Sequence, residues 1–414
     1  MTTHYVAAGL IFVALAAAAL NAGETMKPLP DGAIPAGIGV NIHFTGDQPQ
    51  LDALADGGFR FIRMDLIWEA VEKEKGVYDF AKTGYDTLSA GCLKRGIRLL
   101  YILDYSNKLH ESEQSVRTEE GRKAYAAFAE ASARQYAGKG FLWEIWNEPN
   151  ISIFWKPQPN VDDYMAMLKA AAPGIKAADP SGTLVAPATA GMDMKWLEEC
   201  FKRGMLEYVD AVTVHPYRAQ PPETVIPDYA ALRKLIATYA PKGKDVPILS
   251  GEWGYSRVNW DKARLSQETQ AAYLAREFLV NAYQNIPVSI WYDWSDDSPN
   301  PEDGESNFGT VTHDLKPKAA YVAAKTLTTT LAGYKVEKRL AMAGDDDYAL
   351  LLSKGEDRAV AAWTTGKDHE AQIPLGPAGG RLVKMLGETS QISWGAEGPK
   401  LMLTQGSLYI LISK

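Results

Sequence analysis

Two short segments hold the residues best suited to chemistry. FLWEIWNEPN (141–150) sets Asn147 and Glu148 at the end of an apolar run, between Trp146 and Pro149, and VPILSGEW (246–253) ends on Glu252 and Trp253. Two carboxyl groups on either side of an acetal bond can cleave it: one donates a proton to the departing oxygen, and the other attacks the acetal carbon or activates water. A single Glu in a chain of 414 residues is ordinarily a solvated surface charge. Two of them at the ends of matching apolar runs, each beside a Trp, are not explained that way.

Such a pair must be held by a scaffold that brings distant segments together. The runs GIGVNIHF (37–44), FRFIRMD (59–65), IRLLYILDY (97–105), FLWEIW (141–146), TLVAPAT (183–189), AVTVHPY (211–217), VPILSGEW (246–253) and VSIWYDW (288–294) read as strands. Between them lie helical patterns with apolar residues every three or four positions, clearest in EEGRKAYAAFAEASARQYAG and ETQAAYLAREFLVNAYQN. Eight strand–helix units in about 300 residues predict a closed (β/α)8 barrel, an α/β fold whose chemistry sits at the C-terminal ends of the strands. An open doubly wound sheet is the competitor, but no GxGxxG follows the first run. The strand ends then supply Asn41 and His43, Arg63 and Asp65, Asp104 and Tyr105, Asn147 and Glu148, His215 and Tyr217, Glu252 and Trp253, and Trp291 and Trp294. Past 334 the texture changes to short alternating runs with turn signals, which predict a small β-sandwich over 334–414 after a barrel over 26–333.

The segments WNEP (146–149) and GEW (251–253) resemble the acid/base and nucleophile signatures of clan A glycoside hydrolases. The longer WEIWNEPN and the appended sandwich are similar to glycoside hydrolase family 39 and its relatives, which include bacterial enzymes that cut exopolysaccharides. The resemblance implies Glu148 as acid/base and Glu252 as the nucleophile of a retaining mechanism, with Asn147 on the sugar 2-hydroxyl. It further implies that His215 and Tyr217 orient the nucleophile, that Arg63 keeps it ionised, and that Trp291 is a platform under the sugar. Chemistry agrees: a cation and hydroxyl donors favour an ionised nucleophile, whereas apolar walls, here expected from Trp143, Trp146 and Trp155, keep an acid protonated.

Other residues have competing readings. Arg63 can instead pair with Asp65 or Glu144, and Glu144, which shares strand parity with Glu148, is expected to point inward as a buried carboxylate. His43 either lines the pocket or sits in the core. Trp68 and Trp155 are expected to stack on sugar from loops. The acidic stretch SDDSPNPEDGESNFGT (295–310) lacks EF-hand spacing, and Asp296 or Glu302 is expected near the cleft.

Composition narrows the partners. A net charge of −8 with no basic stripe argues against nucleic acid. The six His include no HExxH pair and no GxSxG occurs, so neither a metal nor another cofactor is expected. Cys92 and Cys200 fall in helical patterns and are expected as buried thiols. The apolar run 7–20 followed by small residues predicts a signal peptide over 1–25 and a secreted or periplasmic protein; an uncleaved anchor is the alternative and the only expected route to a membrane. The expected partner is a polysaccharide or oligosaccharide bound by a monomer. Trp and Tyr around the predicted rim favour endo action; an exo-acting β-xylosidase-type enzyme and a non-hydrolysing carbohydrate-binding barrel are the alternatives.

Overall fold

The computed structural model describes residues 29–258 and 263–413. The predicted signal segment therefore lies outside the described residues. Among the described residues no helix is long and apolar enough to cross a membrane.

Eight parallel strands close into a barrel: β1 (Ile38–Asn41), β2 (Phe61–Ile67), β3 (Arg98–Asp104), β4 (Leu142–Ile145), β5 (Thr183–Ala190), β6 (Ala211–His215), β7 (Ile248–Trp253) and β8 (Ser289–Trp291). Each pairs with its sequence neighbours, and β8 returns to β1. The principal helix after each strand is, in order, α1 (Gln48–Asp56), α2 (Tyr85–Lys94), α3 (Glu119–Gln135), α4 (Val161–Ala178), α5 (Met194–Lys202), α6 (Ile226–Tyr239), α7 (Gln267–Tyr283) and α8 (Ala319–Thr330). Several begin where a short polar side chain accepts from the first turn's free N–H groups: Thr118 from Gly121, Asn160 from Asp162 and Asp163, Ser266 from Thr269.

Strand parity sorts the core into two parts. Phe61, Leu100, Ile102, Leu142, Val185, Leu249 and Ile290 meet in the bore, while Ile62, Met64, Leu99, Trp143 and Ile145 face outward and pack under the helices. Continuing the inward parity of β2 from Phe61 reaches Arg63 and then Asp65, so an apolar plug fills the bore and the polar residues sit above it. Cys92 and Cys200 are free buried thiols, as expected.

The chain leaves α8 at Thr330 and enters β9 (Lys335–Arg339), followed by β10 (Asp347–Lys354), β11 (Asp357–Thr364), β12 (His369–Gln372), β13 (Ala378–Lys384), β14 (Thr389–Trp394), β15 (Lys400–Leu403) and β16 (Leu408–Ile412). These antiparallel strands form a six-stranded sheet, β9-β10-β11-β16-β13-β14, and a β12-β15 pair, with Val360, Ile373, Leu403 and Ile410 between them. The alternating runs YALLLSK, AVAAWTTG, RLVKML, QISW and SLYILIS become β10, β11, β13, β14 and β16, whereas the polar β9 and β12 and the four-residue β15 carry no comparable run. The sandwich is tied to the barrel by a buried polar contact. Trp363 donates to Glu223 (2.7 Å), whose two oxygens also receive Arg276 of α7 (2.7 and 2.6 Å). Each buried charge there is paired, which burial requires.

Candidate active site

The ends of β1 to β4, β6 and β7 converge on a cavity of about 510 Å³, lined among others by Asn41, Arg63, Asp65, Tyr105, Asn147, Glu148, Tyr217 and Glu252. Glu148 reaches it through an unusual backbone. After β4 ends, Trp146 (φ 67°) and Glu148 (φ 48°) both adopt left-handed conformations, each costing on the order of 1–3 kcal/mol for a residue with a side chain. The surroundings hold this turn. The Glu148 N–H donates to the carbonyl of Ala188 (3.0 Å), and the Asn150 amide both donates to and accepts from the backbone of Ala190 (3.1 and 2.9 Å). Asn150 thus fastens the WNEPN turn to β5. On β7, Gly251 leaves little room: a Cβ there would lie 3.1 Å from Glu144 Oε1 and 3.4 Å from Thr213 Cβ.

One carboxylate oxygen of Glu148, one of Glu252 and one ring nitrogen of His215 lie within 4.8 Å of one another. That bound is close to the short separation of about 5–5.5 Å associated with retention and well under the ~6.5–9.5 Å of inversion. Their environments differ. Glu148 is 8% exposed, and burial pushes its carboxyl up to about 7 against the opposing pull of Arg63. Its partner is His215 Nδ1 at 2.8 Å; burial lowers His215 to about 4, so the imidazole is neutral at pH 7. Glu252 receives hydrogen bonds from the Arg63 guanidinium and from the Tyr217 hydroxyl (2.8 Å).

Arg63 organises the site. Its Nε donates to Glu144 (2.7 Å), Nη1 to Glu252 and Asn41 Oδ1 (3.3 Å), and Nη2 to Asn147 Oδ1 (2.8 Å). It is 1% exposed; burial works against its charge, but Glu144 and Glu252 together hold it above the ordinary arginine value. Both competing readings of Arg63 therefore meet in one side chain: it binds Glu144 and the candidate nucleophile at once. Because Arg63 occupies Asn147 Oδ1, the Asn147 amide is oriented with its Nδ2 toward Tyr105 (3.2 Å) and the cavity.

Tyr217 and Arg63 stand where the sequence placed them, against Glu252, and His43 lines the cavity with its side chain 45% exposed. Four other expectations need correction. His215 hydrogen-bonds Glu148 and not Glu252, because its inward ring at the end of β6 meets the left-handed turn after β4. Trp68 is fully buried, stacked on His110 and Phe128 with its indole N–H on Glu72. Trp155 is fully buried against Trp146 and Tyr164. Trp291 is fully buried too, on the outward parity of β8, donating to the carbonyl of Phe308 (3.2 Å). Apolar area of this size is more stable inside than at a rim.

Apolar lining of the cavity comes from residues that sequence reasoning did not assign: Ile151, Ile153, and Phe154, whose ring stacks on Tyr105 at 5.7 Å. Trp143 faces outward to Asp179, which strand parity alone indicates. In the loop after β8, Tyr292, Glu305 and Phe308 line the cavity, whereas Asp296 pairs with Lys318 and Glu302 with Arg264. Among the described residues, besides the two acids with His215, one further group of three potential metal ligands lies within 4.8 Å: His43, Asp293 and Asp297. There the His43–Asp293 ion pair (3.6 Å) accounts for two of its members.

The profile of Glycosyl hydrolases family 39 matches residues 135–298, from the end of α3 through β8. Over that stretch the chain is similar to glycoside hydrolase family 39. A β-xylosidase of Geobacillus stearothermophilus is 28% identical over 159 residues, 33% of this chain, and the match spans only 30% of that relative. The barrel and sandwich superpose on a family 39 glycoside hydrolase from Bacteroides cellulosilyticus with a TM-score of 0.81 at 24% identity, covering 93% of this chain and 82% of the other. A family 39 β-xylosidase from Caulobacter crescentus gives 0.67 at 19% identity, covering 93% and 97%. At these identities the structural likeness establishes the shared fold.

Proposed function

We propose that the chain is a retaining β-glycoside hydrolase acting on an oligosaccharide or polysaccharide. The observation that carries this is the placing of Glu148 and Glu252 within 4.8 Å in one cavity, with opposite environments. Glu252 attacks the anomeric carbon as the glycosidic C–O bond breaks, and Glu148 gives its proton to the departing oxygen. A water then attacks the covalent ester while Glu148 takes back a proton. Asn147 Nδ2, fixed by Arg63 on the other side of the amide, donates to the sugar 2-hydroxyl, an interaction that strengthens as the ring approaches the oxocarbenium-like state.

Labelling with 2-deoxy-2-fluoro β-glycosides followed by mass mapping tests this directly. An adduct on Glu252 is expected; labelling elsewhere, or inversion of the product, overturns it. A binding-only barrel predicts instead that Glu148→Gln changes no hydrolysis rate.

An exo-acting, β-xylosidase-type enzyme is the second reading, favoured by the burial of Trp68 and Trp155, which removes the two loop platforms expected to stack on sugar along an extended groove. Analysis of new reducing ends separates the two: release of single sugars only supports the exo reading, and mixed oligosaccharides the endo one. We also propose export from the cytoplasm, for which the apolar run 7–20 is the support.

A further inference from the structure

Resting on that reading, we propose that the cavity sorts sugars by charge: it accepts neutral and amino sugars and turns away uronates, with Asp65 as a specificity-determining residue.

The charged groups lining the cavity are unevenly matched. Asp65, Glu148, Glu252 and Glu305 present carboxyl groups, while the cations among the described lining residues are Arg63 and His43. A sugar carboxylate needs a cation with donors to spare, usually an arginine fork or a lysine. Arg63 is already committed: four of its five N–H groups go to Glu144, Glu252, Asn41 and Asn147, and with the side chain only 1% exposed it presents no open fork to a sugar carboxylate. His43 is neutralised where it stands. It pairs with the buried Asp293, and Asp297 offers a second carboxylate within 4.8 Å.

Asp65 supplies the positive side of the selection. Behind it lies Asp104, fully buried, with neither carboxyl oxygen reached by a donor N–H or hydroxyl in its described surroundings. The available partner is Asp65 itself. Burial, and then the neighbouring Asp65 charge, hold Asp104 well above the usual carboxylate range, so Asp104 keeps its proton and donates it to Asp65. Asp65 is thereby fixed in place and lines the cavity as an acceptor. A sugar hydroxyl or ammonium group can donate to it. A uronate can only meet it as like charge, and the same holds at the rim for Glu305, which Tyr292 positions through a 2.9 Å hydrogen bond.

The test separates recognition from turnover. Binding of β-1,4-linked tetrasaccharides of glucose, glucosamine and glucuronate is measured by calorimetry on the full chain carrying Glu148→Gln, and cleavage of the same three on the unsubstituted chain. The glucuronate oligomer is expected to bind at least about 30-fold more weakly than the glucose oligomer at low salt, the gap shrinking as salt screens it, with glucosamine binding at least as well as glucose. Adding Asp65→Asn should close most of the gap, and adding Glu305→Gln, at an exposed position, should close part of it without threatening the fold. Equal or tighter glucuronate binding overturns the proposal, as does a gap unchanged by both substitutions or failure of all three sugars to bind. The expected binding order with no cleavage of any oligomer leaves the charge sorting standing and removes the hydrolase reading instead.

Discussion

Glu148 and Glu252 are the same side chain, presented to one cavity from the ends of β4 and β7, and the protein surrounds them in opposite ways. Glu148 is buried beside a neutral His215 in a cavity that Ile151 and Phe154 also line, and its proton is retained up to about pH 7. Around Glu252 are a guanidinium and a phenol, both aimed at its oxygens. The difference teaches that two identical side chains are told apart by their neighbours: water is withdrawn from one acid, which raises it, while a cation and a hydroxyl are aimed at the oxygens of the other.

The most damaging way to break the contrast is to remove the attacking group. Glu252→Gln should lower kcat/KM on an activated aryl β-glycoside by at least about 10^4-fold, since no covalent step remains. Glu148→Gln should cost about 10²–10⁴-fold on substrates with poor leaving groups and much less on activated ones. It should also reshape the pH profile. In the unsubstituted protein kcat/KM falls as pH rises through about 7, because Glu148 loses the proton it must donate; a falling limb that persisted in the variant would assign it to another group.

Arg63→Met tests whether one buried cation serves both Glu252 and the scaffold. It strands Glu144 without its partner, so a loss of about 3–5 kcal/mol in denaturant unfolding is expected together with lost activity. Tyr217→Phe sharpens the comparison more gently: removing one hydrogen bond to a carboxylate should cost about 10- to 100-fold in kcat/KM with little change in melting temperature. Smallest in its effect on rate is Trp155→Phe. As a core residue it should cost about 1–2 kcal/mol of stability and leave KM within about threefold; a raised KM at unchanged stability would restore it as a sugar platform.

Much of this architecture is legible in the chain. The alternation of apolar runs and helical patterns anticipates all eight staves, and parity along FRFIRMD puts Arg63 and Asp65 on the inward side with Phe61. The same parity, applied throughout, would have turned Trp143 outward and left Trp291 beneath α-helical cover. Loop residues have no such rule. Trp68 and Trp155 are equally suited to a core or to a sugar face, and only the packing of His110, Phe128, Trp146 and Tyr164 around them settles the choice. Glu305 could not be told from Asp296 or Glu302 by composition, since all three share one acidic loop.

What the sequence determined by itself is periodic: a barrel, a sandwich, and two acids at the ends of two staves. Periodicity encodes which side of a strand a residue occupies, and that is a local property of the pleated backbone. What only the tertiary structure decided is partnership: that His215 belongs to Glu148, that Arg63 holds Glu252, Glu144, Asn41 and Asn147 together, and that Asp104 lies behind Asp65. Those contacts join residues tens to nearly two hundred positions apart, and their geometry depends on barrel closure and on the left-handed turn at Trp146 and Glu148, which no short stretch of chain specifies alone.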